Sequence, residues 1–141
     1  MTIRERSEVV ARASVEEITQ LAEELKQKYP FIVERQPEKS LAMMPAQDPI
    51  HKTRFFLGEA LICQAMVSIN HIRGVCVLMG DDLEKVTAGA IIDAAFRAEL
   101  PECEALESAL GRLAEAQWGL LCKEAALIEK SSVEFTTMEG A

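Results

Sequence analysis

The stretch "RFFLGEALICQAMVSINHIRGVCVLMGDD", residues 54–82, decides how this chain folds. Within it, Leu61, Cys63, Ala65, Val67 and Ile69 alternate onto one side of an extended strand, and Ile62, Gln64, Met66 and Ser68 fall on the other. That is the pattern of a strand with one buried face and one partly covered face. "NHIRG" (70–74) supplies a tight connection and "VCVLMG" (75–80) a second apolar run, so residues 55–80 read as a β-hairpin.

The flanks of the hairpin are helical on one side and extended on the other. Downstream, "GDDLEKVTAGAIIDAAFRAEL" (80–100) reads as a helix that starts at Asp81 or Asp82, with Asp81 and Glu84 at capping-box spacing. Upstream, "FIVERQ" (31–36) and "LAMMPA" (41–46) are two short extended candidates separated by Pro37, and "AQDPIHKT" (46–53) is a loop by its Asp48-Pro49 dipeptide. From Ile3 to Lys28 the pattern is helical, in two pieces joined near Ala13 and Ser14, where Ser14 and Glu17 form a capping box. Val15, Ile18, Leu21, Ala22 and Leu25 share one face of the second piece, and Pro30 ends it.

A last helix begins at Pro101 and runs to about Lys130. Leu106, Leu113, Leu120 and Leu127 recur in it every seven residues, but Gln117 and Glu124 interrupt the second row of the stripe. Packing against the domain or a partner therefore fits better than a dedicated coiled-coil homodimer. The chain closes on "SSVEFTTMEGA" (131–141), an apolar and β-branched ending. Val133, Phe135 and Met138 can add a strand to a partner's sheet or insert in its groove; alternatively the tail folds back as the last strand of its own sheet. Together these elements predict an α+β fold: N-terminal helices, a small, mostly antiparallel sheet over 31–80, two C-terminal helices and a terminal strand or hook.

Length and composition set limits on function. The 141 residues fit one domain, 1–141, with 49% hydrophobic and 27% charged residues. No apolar run is long enough for a bilayer, and "MTIRERSEVV" lacks a secretory signal's apolar block, so the expected compartment is the cytoplasm and the four cysteines are expected to be thiols. Fifteen basic against twenty-three acidic residues give a net charge of −8, which repels phosphate backbones, and aromatics at 5% leave little to stack on bases; autonomous nucleic-acid binding is not expected.

Residues that could carry chemistry are few. Cys63, Cys76, Cys103 and Cys122 form no CxxC pair, and His51 and His71, the two histidines, fall in predicted loops, so neither a metal site nor a histidine-activated nucleophile is expected. "HKTR" (51–54) is the one basic cluster, able to meet a phosphate or an acidic surface, or to be a solvated loop. Glu59 follows Gly58 within the strand, where a bulge can aim the carboxylate at a site, or the sheet can bend with Glu59 in water. Asp93, inside "AIIDAAF" (90–96), faces water or pairs with Arg97 four residues on. One reading of these groups is a small independent enzyme or ligand-binding domain using Arg54, Glu59 and Asp93.

Taken together, "PEKSLAMM" (37–44), the 54–82 hairpin with "AIIDAAF" after it, and "VEFTTMEG" (133–140) resemble the PhnG family, the G subunit of the bacterial carbon-phosphorus lyase system. "RERSEVVARAS" (4–14) resembles that family's first helix, although its customary tryptophan is replaced near Ser7, and "AQDPIHKT" stands where the family has a glycine-rich segment. The resemblance implies an accessory subunit, assembling with the H, I and J subunits and meeting ATP and phosphonate only through the complex. In that system the I subunit, helped by G, H and L, displaces adenine from ATP with a phosphonate; carbon-phosphorus cleavage follows on the iron-sulfur J subunit. It implies no cofactor and no catalytic residue on this chain; the residues themselves point to partner contacts through Leu120, Leu127, Val133, Phe135 and Met138, and at most to ligand contacts through Arg54 and Glu59.

Overall fold

In the computed structural model, which describes residues 1–135, helices α1 (Ile3–Arg12) and α2 (Val15–Lys28) precede a three-stranded sheet. The strands are β1 (Phe31–Gln47), β2 (Arg54–Ile69) and β3 (Ile72–Met79), followed by α3 (Leu83–Arg97) and α4 (Cys103–Lys130). The sheet is antiparallel in the order β1-β2-β3, and the fold is α+β. Capping boxes start both N-terminal helices. Thr2 and Glu5 close the first, and Ser14 and Glu17 the second, each pair exchanging side-chain and backbone hydrogen bonds.

The structure corrects some boundaries of the sequence reading and decides others left open; α4 starts at Cys103, after a turn at Pro101 and Glu102, rather than at Pro101. The two extended candidates before the hairpin are one strand, because Pro37 lies in an irregular stretch between Arg35 and Glu38 on a strand at the sheet edge, where a missing amide costs no ladder bond. The α3 cap is Asp82, whose side chain accepts from the Lys85 amide at 3.0 Å; Asp81 instead lies 3.9 Å from the Lys39 ammonium. The β2–β3 connection is shorter than "NHIRG". Only Asn70 and His71 turn, both at positive φ (50° and 64°) as a two-residue primed turn requires, and Ile72 to Gly74 already belong to β3.

The core lies between one face of the sheet and the helices. Cys63, Ala65, Val67 and Ile69 of β2 meet Val86, Ala90, Ile91 and Ala94 of α3, backed by Ile18, Ala22 and Leu25 of α2. α3 is apolar around most of its circumference, as a helix enclosed on all sides must be. Gly74 of β3 lets it come close: a Cβ there would lie 2.2 Å from the Ala94 nitrogen and 2.3 Å from the Ala90 oxygen. Asp93 is satisfied rather than free, since its Oδ2 accepts from Arg97 Nε at 2.7 Å and from the Val75 amide at 3.0 Å, tying α3 to β3.

A polar clasp joins α2 to α4. The Tyr29 hydroxyl donates to Glu102 Oε2 at 2.8 Å, and Lys28 Nζ donates to Oε1 at 3.2 Å. The hydrogen bond from Tyr29 holds the Glu102 carboxyl below its usual range, and the same bond raises the Tyr29 phenol. The raised phenol contributes stability below the unfolded value of about 10 and loses it as pH climbs through the folded value. The depressed carboxyl contributes above the unfolded value of about 4.3 and loses it as pH falls through the folded one. Tyr29 is the single tyrosine, so an ultraviolet titration reads it alone. The expected midpoint lies above 10 and returns to about 10 in Glu102→Gln; an ordinary midpoint in the wild-type chain would remove the clasp.

Candidate functional site: two uncovered apolar surfaces

α4 has 28 residues, so it is about 42 Å long, and its two halves meet different surroundings. In the first half Leu106 and Leu110 are buried and Leu113 is partly so. Near the middle, Gln117, a residue that breaks the leucine stripe, donates from Nε2 to the Val9 carbonyl of α1 at 3.0 Å. Just beyond it Trp118 and Leu121 still border a hollow with Glu5, Glu8, Val9 and Arg12 of α1, and from Cys122 to Lys130 every residue of the helix is exposed among the described residues. Trp118, Leu120 and Ile128 are exposed, and Leu127 is 66% exposed. Past the helix, residues 132–135 join no strand; Val133 is exposed and Phe135 is 94% exposed. Met138 lies outside the described residues. Four of the five residues expected to meet a partner thus share one end of the molecule, uncovered.

The second surface was not anticipated. β3 pairs with β2 only from Ile62 to Ile69, whereas β1 and β2 continue together for seven to eight more residues each, out to Gln47 and Arg54. The surplus is a two-stranded arm that no helix covers among the described residues. Alternation puts the Leu41–Leu61 pair and Met43 on one side, and the Met44–Gly58 and Ala46–Phe55 pairs on the other. A register shift between Met44 and Pro45 leaves Leu57 as the extra residue of a bulge beside Gly58. Leu41, Met43, Phe55, Phe56 and Leu57 are all exposed, Leu57 at 69%. The signal lay in strand length: the apolar pattern of β2 is twice as long as β3, so half of it lacks a second neighbour.

The two ligand candidates both lie on this arm. Arg54 pairs with Gln47 next to the tip and borders a shallow hollow of about 340 Å³ with Met43, Pro45, Phe55 and Phe56. Glu59 is exposed opposite Met43 and does not line that hollow. Asp93 borders a separate hollow between α1, β3 and α3. The three groups are not gathered around one cavity.

The remaining reactive groups are placed as parts of the fold. Burial pushes the Cys76 thiol up to about 12 and raises those of Cys63 and Cys103, which leaves little thiolate near neutral pH. The four cysteines are unpaired, and Cys122 is exposed on α4. His51 sits in the turn at the arm's tip and His71 in the β2–β3 turn. Among the described residues no three His, Cys, Asp or Glu side chains gather as a metal site would need, and no helix is long and apolar enough to cross a membrane. What this geometry can do is present two preformed apolar surfaces to other molecules.

Compared with known families, the chain matches the model described as phosphonate metabolism protein PhnG over residues 2–140. No curated protein matches it significantly.

Proposed function

Because the chain belongs to the PhnG family of phosphonate metabolism proteins, we propose that it is an accessory subunit of the carbon-phosphorus lyase core complex. In this reading it assembles in the bacterial cytoplasm with the H, I and J subunits and supports transfer of a phosphonate to ATP with release of adenine, the step that yields α-D-ribose 1-methylphosphonate 5-triphosphate. It contributes surface and order to the complex, and ATP and phosphonate are handled through its partners.

The observation that carries this reading is the outer half of α4 with the residues after it. Trp118, Leu120, Leu127, Ile128, Val133 and Phe135 are six large exposed apolar side chains within the last eighteen described residues, Trp118 to Phe135. A contiguous patch of this kind marks an interaction site in soluble proteins. The helix positions it rigidly, which lowers the ordering cost of association. Arg54 and Glu59 stand beside no enclosed cavity of their own, which fits contact with ligands only within an assembly.

Co-expression with the H, I and J subunits followed by gel filtration tests the proposal. The expected result is a single peak that contains this chain, with adenine release from ATP and phosphonate supported by that peak and not by the chain alone. Elution of the chain apart from all three, or adenine release by the pure chain, would overturn it.

A further inference from the structure

The β1–β2 arm is a second uncovered apolar surface, separate in the fold from α4. It begins where β3 ends, at the Leu41–Leu61 pair, and reaches the tip some seven residues out, about 23 Å. Both of its faces carry apolar bulk, and β2 from Arg54 to Ala60 has a free edge on the side that β3 vacates. An exposed ribbon with an open edge is an aggregation hazard unless something encloses it.

The tip is built, not loose. The Asp48 amide donates to the Thr53 carbonyl at 3.0 Å, the Lys52 amide to the Asp48 carbonyl at 2.8 Å, and Gln47 Nε2 to the Lys52 carbonyl at 3.0 Å. The Asp48 carboxylate is turned inward, accepting from the Ile50 amide at 2.9 Å. This leaves His51, Lys52 and Arg54 as the outward-facing ionisable groups at the end of an arm that belongs to a chain of net charge −8. The sign reverses at the point farthest from the core.

We propose that the arm inserts into a cleft of a different protein chain, one with apolar walls against both ribbon faces and carboxylates at its floor to meet His51, Lys52 and Arg54. A second copy of this chain is a poor host. The hollow lined by Val15, Glu16, Thr19, Gln20, Glu23 and Glu84 offers carboxylates but a single apolar side chain, so it lacks walls for the two ribbon faces. Edge-to-edge pairing of two copies through β1 is also disfavoured, because Pro37 and Pro45 remove amides and Glu34, Arg35, Glu38 and Lys39 charge the strand between its apolar ends. The opposite charges at the tip speed encounter and fix orientation, and the apolar walls supply most of the affinity.

This inference rests on the subunit reading, and the experiment separates the two. The full-length chain is co-expressed with each of the three proposed partner subunits and with all three, as wild type, as Phe56→Asp/Leu57→Asp, and as Lys52→Glu/Arg54→Glu. All four side chains are exposed in this chain, so circular dichroism and the melting temperature of the isolated variants are expected to be unchanged. The apolar pair is expected to weaken association at least 100-fold, and the charge-reversed pair about tenfold, with a shallower salt dependence. If both arm variants co-elute like the wild type, the arm proposal fails and the subunit reading stands. If the wild type co-elutes with none of the three, the subunit reading fails and takes the arm's host with it. If the isolated wild type is a dimer that the arm variants dissociate, the host is a second copy and the proposal is overturned.

Discussion

Alanine at position 74 is expected to cost about 3 kcal/mol or more, near the upper end of what overpacking does, and to lower the melting temperature by roughly 10 °C. The size of the effect follows from what the new methyl group meets. Its nearest neighbours are the Ala94 nitrogen at 2.2 Å, the Ala90 oxygen at 2.3 Å and the Ala94 Cα at 2.6 Å, all backbone of α3. Side chains can rotate away from an intruder, but a helix backbone moves only as a unit, and α3 is held by the sheet, by α2 and by the Asp93 carboxylate on Val75. Gly89 makes a useful comparison. A methyl there first meets side-chain atoms, the Cys76 Sγ at 2.6 Å and the Cys76 Cβ and Val10 Cγ1 at 3.3 Å, rather than helix backbone, and the cost is expected to be smaller. Gly111 on α4 has nothing within 4 Å of a new Cβ, so alanine there is expected to stabilise the helix by about 0.5–1 kcal/mol. Thermal unfolding of the three variants checks the order; a Gly74→Ala chain as stable as the wild type would mean that α3 does not cross β3 this closely.

Much of this architecture was legible in the sequence because the relevant physics is local. The Ser14–Glu17 capping box, the stop at Pro30, the alternation from Cys63 and the four-residue spacing of Asp93 and Arg97 each depend on neighbours within one element, and each is found in the structure; Leu61, expected on the buried face, is exposed because it lies where β3 ends. The errors arose where the answer depends on topology. Pro37 breaks a central strand but is tolerated at an edge, and the sequence alone does not say that β1 is an edge. Either aspartate of Asp81-Asp82 can cap a helix, and the choice follows from where β3 releases the chain. The heptad spacing of Leu106 to Leu127 shows that a face of α4 is apolar, not where the domain beneath it ends. Gln117 stands near that place, since it bonds the Val9 carbonyl of α1, and only Trp118 and Leu121 beyond it still border α1 before the helix is exposed throughout. The arm was missed for the same reason: each strand looks ordinary alone, and the surplus emerges only when the lengths of β2 and β3 are set against each other.

The central claim is that the apolar end formed by the outer half of α4 is completed by other chains. Paired substitution of Leu120→Glu and Leu127→Glu examines it with little interference from folding, because both side chains are already exposed and neither belongs to the buried core. Surface changes of this kind usually leave stability within about 0.5 kcal/mol. At an interface, in contrast, each carboxylate would be forced into an apolar contact without a partner. Two such losses at the centre of a patch are worth about 3 kcal/mol or more, at least a 100-fold drop in affinity. The decisive measurement is the dissociation constant of this variant and of the wild type for the co-purified partner subunits, with the melting temperature of each isolated chain measured alongside. The account predicts an unchanged melting temperature and association weakened at least 100-fold. Wild-type affinity, or a variant that loses its own fold, would contradict it.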